Sequence, residues 1–258
     1  MGPPRPTRPP VIDALQLAHL LLTRLPLGDA GTVTAARFAP ALVAFPLVGL
    51  TVAGAGALGR IVADPLGPVV ACITAVAATV LVTGAFHEDG LADTADAFGP
   101  HGRTDRLAAM RDARLGTFGV LALVLATGAR VGLLAQISLR DCILALAAGH
   151  VLGRGSTLVL AVICSPARAD GATLLVRPST RQALLGSILA VGLAFPALVA
   201  IAPAASVAVL ASALVIIGSA LLWRRAFGGV TGDTFGATNQ LVEIVVYITI
   251  VSSLASTL

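Results

Sequence analysis

Lysine is missing altogether: all 17 basic residues are arginine. Without that primary amine the chain can build neither a Walker A phosphate loop nor a Schiff base with pyridoxal phosphate. Charge of either sign is scarce, at 12% of the 258 residues, while 57% are hydrophobic and the mean hydropathy is +0.94. A soluble domain of this length needs a much larger polar shell. There are only three cysteines, Cys72, Cys142 and Cys164, each in apolar sequence and without CxxC spacing, so all three are expected to be structural. His87-Glu88 opens like HExxH, but Leu91 stands where the second histidine belongs, which excludes a zincin site. The first ten residues lack the apolar core and small-residue cleavage site of a signal peptide; residues 1–10 are expected to be a disordered tail and 11–258 a single integral membrane domain.

What is present in quantity is membrane-spanning sequence. Charge-free runs cover 38–59, 65–86 and 182–223, the last long enough for two helices broken at Ala202-Pro203-Ala204. Runs 115–139, 142–167 and 234–258 each carry few charges, notably Arg130, Arg154 and Glu243. These patterns predict an all-α, polytopic transmembrane bundle of about seven spans. Residues 11–25 are expected to form a short helix lying on or dipping into the membrane, ending near Pro26. No internal repeat points to a two-fold transporter architecture.

Arginine sets the expected orientation. Segments 1–37, 87–114, 165–181 and 224–233 share one side and hold 13 of the 17 arginines, whereas the other side has Arg60 and Arg140. Positive loops stay inside, so the N-terminus and the large polar loops are expected in the cytoplasm of a bacterial cell whose inner membrane the chain crosses several times. This topology accounts for the net charge of +4 without nucleic acid as a partner.

The chemistry is expected where the second span ends, in the run from Phe86 through His87, Glu88, Asp89, Asp93 and Asp96. If the helix continues through it, the three aspartates fall within an arc of roughly 60°. Carboxylates roughly 6 Å apart repel by about 3 kcal/mol at an effective dielectric near 20, so the stripe invites a proton or a cation. Hard oxygen donors favour Mg²⁺ or Mn²⁺, which commonly bridges carboxylates to substrate phosphates. Asp112 is a further candidate ligand, and Arg111 and Arg114 are candidates to clamp phosphate oxygens, although flanking charge before a span would explain the same arginines. His150 and Arg154 share a helical face, with Arg154 a candidate to neutralise substrate phosphate; Arg130 is expected to satisfy carbonyl groups. Near the end, Asp233 sits in a glycine-rich turn and Glu243 in an apolar span; either could complete a metal shell or orient an attacking hydroxyl, and an N-cap would equally explain Asp233.

These segments resemble the cobalamin synthase family, the adenosylcobinamide-GDP ribazoletransferases. The likeness rests on Leu22-Thr23-Arg24-Leu25-Pro26, the His87–Asp96 acidic run, Met110-Arg111-Asp112-Ala113-Arg114-Leu115-Gly116-Thr117-Phe118-Gly119, Arg177-Pro178 and Gly229-Val230-Thr231-Gly232-Asp233 with Gly236-Ala237. Asn239-Gln240 departs from the family where an acidic residue is common, and Ala113 where serine is common. The resemblance implies a Mg²⁺-dependent enzyme that joins adenosylcobinamide-GDP to α-ribazole or its 5′-phosphate, giving adenosylcobalamin or its 5′-phosphate and GMP. That chemistry also fits the residues themselves: Asp89 and Asp93 are the expected primary metal ligands beside Asp96, and His87, Glu88 or Asp233 could accept the hydroxyl proton. Membrane lipid is an expected partner, and the oligomeric state is left open, a homo-oligomer included. Two rivals remain. A CDP-alcohol phosphotransferase would carry an arginine soon after Asp89, and none occurs before Arg103. A cation- or proton-coupled transporter would place its acidic residues near mid-membrane rather than at one face.

Overall fold

A computed structural model of the chain describes residues 9–168 and 176–256. Most of the expected tail, residues 1–8, lies outside the described residues; Pro10 already opens the first helix. The described residues are all-α: α1 (Pro10–Leu22), α2 (Ala35–Val43), α3 (Phe45–Val62), α4 (Pro68–Thr83), α5 (Phe86–Asp96), α6 (Arg103–Ala109), α7 (Thr117–Leu134), α8 (Leu139–Ile163), α9 (Thr180–Ile201), α10 (Val207–Phe227) and α11 (Gly232–Ala255). Six of them, α3 and α7 to α11, are long and apolar enough to cross a membrane, and α4 with α5 makes a seventh if that bent pair is counted as one span. The polytopic bundle expected from hydropathy is therefore the observed fold.

Local chemistry sets the helix ends. Ser179 with Gln182 and Thr231 with Thr234 form capping boxes at the starts of α9 and α11, and the Ser138 hydroxyl caps α8. Pro68 opens α4 where no helical N–H partner is needed. Gly228, at φ +78°, closes α10 in the left-handed region. Ala202 ends α9, and a 3₁₀ turn over Pro203–Ser206 leads into α10, the break expected at that point.

Helix α8 is the central post, packed on α3, α9 and α11. Between helices in lipid the hydrophobic effect does little, and close approach of small residues does more. A methyl group on Gly49 would sit 2.6 Å from the His150 carbonyl oxygen of α8, so α3 and α8 touch backbone to backbone there. Apolar side chains such as Leu58, Leu81, Leu125, Leu210 and Leu214 stand outward on the bundle surface, as a lipid-facing wall requires.

The polar connections gather at one end. Pro166 and Val230 pair as an isolated parallel bridge, with Val230 N–H donating to the Ser165 carbonyl (2.9 Å) and Ala167 N–H to the Val230 carbonyl (2.8 Å). Arg168 donates to the Leu107 carbonyl (2.8 Å) and thereby joins the loop after α8 to α6. At the opposite end Arg140 donates to the Ala200 carbonyl (3.0 Å).

One expectation is corrected. The helix of the second span does not continue through the acidic run: α4 stops at Thr83, and α5 departs at 90°. Gly84 (φ +64°) and Ala85 (φ +59°) occupy successive left-handed positions, which ends one helix and re-aims the chain for the next.

Candidate active site

Helix α5 is short and has two unlike faces. His87, Glu88, Gly90, Ala92 and Thr94 are buried, whereas Asp89 is exposed and Asp93 and Asp96 are half-buried. Because the run is a regular helix, Asp89, Asp93 and Asp96 keep the i, i+4, i+7 spacing of one stripe. Their surroundings differ. Both Asp96 oxygens accept backbone N–H groups at the start of α7, from Gly116 (2.7 Å) and Gly119 (2.8 Å). Asp96 thus stoppers the positive end of that helix.

Asp233 comes to the same face from α11. Thr231, not Asp233, provides the N-cap of α11, and Asp233 lies in its first turn. Its carboxylate accepts from the Thr231 hydroxyl at 3.2 Å. A methyl group on Gly90 would meet the Asp233 carbonyl oxygen at 2.8 Å and its Cα at 3.0 Å, so the glycine lets α11 press its backbone onto α5. Gly236 makes the reciprocal approach, close to the His87 carbonyl oxygen and the Gly90 Cα. The charges of Asp89, Asp233 and Asp96 all bear on Asp93. Among the described residues, no three His, Cys, Asp or Glu side chains are grouped closely enough to hold a metal ion by themselves. The donors on this face are nevertheless all carboxylate oxygens in mutual repulsion, a set that suits a hard divalent cation with further oxygens drawn from substrate.

Asp112 and Arg114 lie in the loop between α6 and α7 and are paired with each other at 2.6 Å. The hydrogen-bonded Arg114 guanidinium holds the Asp112 carboxyl down to about 2. Arg111, in the same loop, is exposed. The preceding segment is fixed by an aromatic group in which Phe98 meets Phe227 edge-on (5.4 Å), Phe227 stacks on Trp223 (5.8 Å), and the Arg106 guanidinium lies 5.5 Å from the Phe98 ring centre.

Beneath α5 lies a second polar group inside the bundle. Glu88 accepts from Arg130 of α7 at 3.0 Å and from Gln240 of α11 at 3.2 Å. Arg130 is also 3.6 Å from Glu243 of α11. Glu243, 0% exposed, is bonded to His150 Nδ1 (2.7 Å) and to Arg154 (3.3 Å), both of α8. Of the residues singled out in the sequence, the structure thus brings Asp89, Asp93 and Asp233 to one face, seats Asp96 on α7, pairs Asp112 with Arg114, and gathers Glu88, Arg154 and Glu243 into the interior, with His87 buried beside them. Arg130 bonds a carboxylate rather than the carbonyls expected of it, and Gln240, notable in the sequence only as a departure from the family's acidic residue, is a donor to Glu88. The signal for Arg130 was its depth in an apolar span, where a charge almost always faces an internal partner.

A family model described as cobalamin-5-phosphate synthase matches residues 14–251 of the chain. Proteins named adenosylcobinamide-GDP ribazoletransferase are similar along most of the length. The one from Bradyrhizobium diazoefficiens is 40% identical over 245 residues, 92% of each chain. Those from Azorhizobium caulinodans, 42% identical over 212 residues (78% of this chain, 80% of the relative), and Mesorhizobium japonicum, 34% identical over 251 residues (95% of each), agree. No solved structure matches.

Proposed function

The chain belongs to the cobalamin-5-phosphate synthase family, and from that premise we propose that it transfers the corrinoid phosphate of adenosylcobinamide-GDP to a hydroxyl of α-ribazole or α-ribazole 5′-phosphate. The bond formed is between the ribazole oxygen and the corrinoid-side phosphorus; the bond broken joins that phosphorus to the oxygen that leaves with GMP. Products are adenosylcobalamin, or its 5′-phosphate, and GMP. The observation that carries the site assignment is the convergence of Asp89, Asp93 and Asp233 on one face, at the end of the bundle where the polar loops meet.

Mg²⁺ is the cation we assign to this face; when bound, it would neutralise the diphosphate and the charge developing on the GMP oxygen. Asp89 and Asp93 would hold it. Asp233, whose backbone lies against α5 at Gly90, would accept the proton of the attacking hydroxyl. Arg111 and Arg114, in the loop that follows, supply guanidinium donors for the outer phosphate oxygens. The arginine-rich loops orient this face toward the cytoplasm of the bacterial cell, whose inner membrane the helices cross.

GMP release by the purified protein from adenosylcobinamide-GDP and α-ribazole, with Mg²⁺ and with EDTA, tests the reading. Mg²⁺-dependent GMP formation is expected, and Asp89→Asn should abolish it while the variant still inserts into membranes. GMP formation that persists in EDTA, or at near wild-type rate in Asp89→Asn, would overturn the metal assignment. No GMP under any condition would overturn the reaction.

A further inference from the structure

The interior group under α5 contains two carboxylates, Glu88 and Glu243, and two guanidiniums, Arg130 and Arg154, all 8% exposed or less. They form an alternating chain: Glu88 with Arg130 (3.0 Å), Arg130 with Glu243 (3.6 Å), and Glu243 with Arg154 (3.3 Å). His150 adds a bond to Glu243 from the same turn of α8 as Arg154, and Gln240 adds one to Glu88. The four charges come from α5, α7, α11 and α8 respectively. Each is expensive to bury alone, and together they balance.

Helix α5 packs its buried face on α11 and α7, but it makes few side-chain bonds to them. It leaves α4 through two left-handed residues and rests on α11 through Gly90 and Gly236, where no side chain intervenes. Of its eleven residues, Glu88 at the inner end and Asp96 at the outer end make the side-chain bonds to the bundle among the described residues. Asp89 and Asp93 lie between these two fastenings.

We propose that Glu88, Arg130, Glu243 and Arg154 form a charge-balanced internal clamp that sets the position of α5, so that Glu88 and Glu243 are positioning residues rather than proton acceptor and metal ligand. The link to turnover rests on the function proposed above; the link to α5 geometry does not. The clamp makes a distinction that a chemical role would not. Removing one charge leaves a net charge uncompensated in the bundle, whereas removing Glu88 and Arg130 together leaves Glu243 and Arg154 still matched.

Amide hydrogen exchange of the intact protein in detergent, read separately for segment 86–97 and for α9 as internal control, is compared for wild type, Glu88→Gln, Arg130→Met and the double variant, together with GMP release. Each single variant should exchange at least about tenfold faster over 86–97 with α9 unchanged, and turnover should fall by about a hundredfold as α5 loses its register. In the double variant charge balance returns although the α5 ion pair does not, so exchange should be at least about threefold slower than in either single variant and turnover should recover by at least about tenfold over either single. Single variants that exchange like wild type, or a double variant no better protected than the singles, overturn the clamp. Restored protection with no recovery of turnover overturns the positioning role and makes Glu88 a chemical participant. If Arg130→Met does not accumulate while the double variant does, that contrast supports the pairing; failure of both overturns it. If wild type itself releases no GMP, the reaction assignment fails and the exchange results still decide the clamp.

Discussion

The three aspartates of α5 share one stripe but not one environment. Asp89 and Asp93 face the open side with Asp233 near, while Asp96 gives both oxygens to the N–H groups of Gly116 and Gly119. Asp96→Ala should therefore lower stability by about 1–2 kcal/mol, the usual cost of a lost helix cap, seen as a lower thermal midpoint in detergent. Asp93→Asn should instead leave the midpoint in place or raise it, because a neutral amide relieves repulsion from Asp89 and Asp233, and it should raise the Mg²⁺ concentration for half-maximal GMP release by about tenfold or more. The exposed Asp112–Arg114 pair makes a third case. With the Asp112 carboxyl held down to about 2 by Arg114, the pair stays ionised at any pH suitable for assay. Arg114→Ala should leave the melting temperature unchanged, as loss of an exposed ion pair does, and should raise KM for adenosylcobinamide-GDP if the guanidinium meets phosphate.

At the scale of elements, the decisive features are the corner at Gly84-Ala85 and the glycine contact between α5 and α11. Gly90→Ala places a methyl group against the Asp233 backbone, which cannot rotate away, so α5 and α11 must part by several tenths of an ångström. Displacement on that scale should reduce kcat by about a hundredfold while leaving the protein inserted and helical, as checked by circular dichroism alongside GMP release. The corner also explains what periodicity could not reveal. Hydropathy located the second span and residue spacing located the stripe, and both were right about the residues concerned. Neither shows where a helix turns, because Ala85 in the left-handed region is dictated by tertiary packing and carries no local signature, unlike glycine. The same limit applies to Arg130, Glu88 and Glu243: each was visible as a rare charge, but which carboxylate meets which guanidinium depends on how α5, α7, α8 and α11 are arranged.

For the molecule as a whole, composition alone predicted the bundle, and the order of long apolar runs predicted its helices to within a few residues at most ends. Arginine placement adds a sidedness that can be measured directly. A single reactive cysteine at His101, in the loop after α5, should resist a membrane-impermeant thiol reagent in spheroplasts, whereas one at Leu66, in the turn between α3 and α4, should react. The interior charges carry a last implication. A lone ion part-way across a membrane is pulled by the transmembrane voltage with roughly 2.3 kcal/mol per 100 mV for a full crossing. Two carboxylates and two guanidiniums linked in an unbroken chain present no net charge to that voltage, so an energised membrane and a depolarised one should support the same rate of turnover. Removing any one of the four would leave a net charge there, and any shift of that charge along the membrane normal during turnover would then be felt as a voltage dependence of the rate.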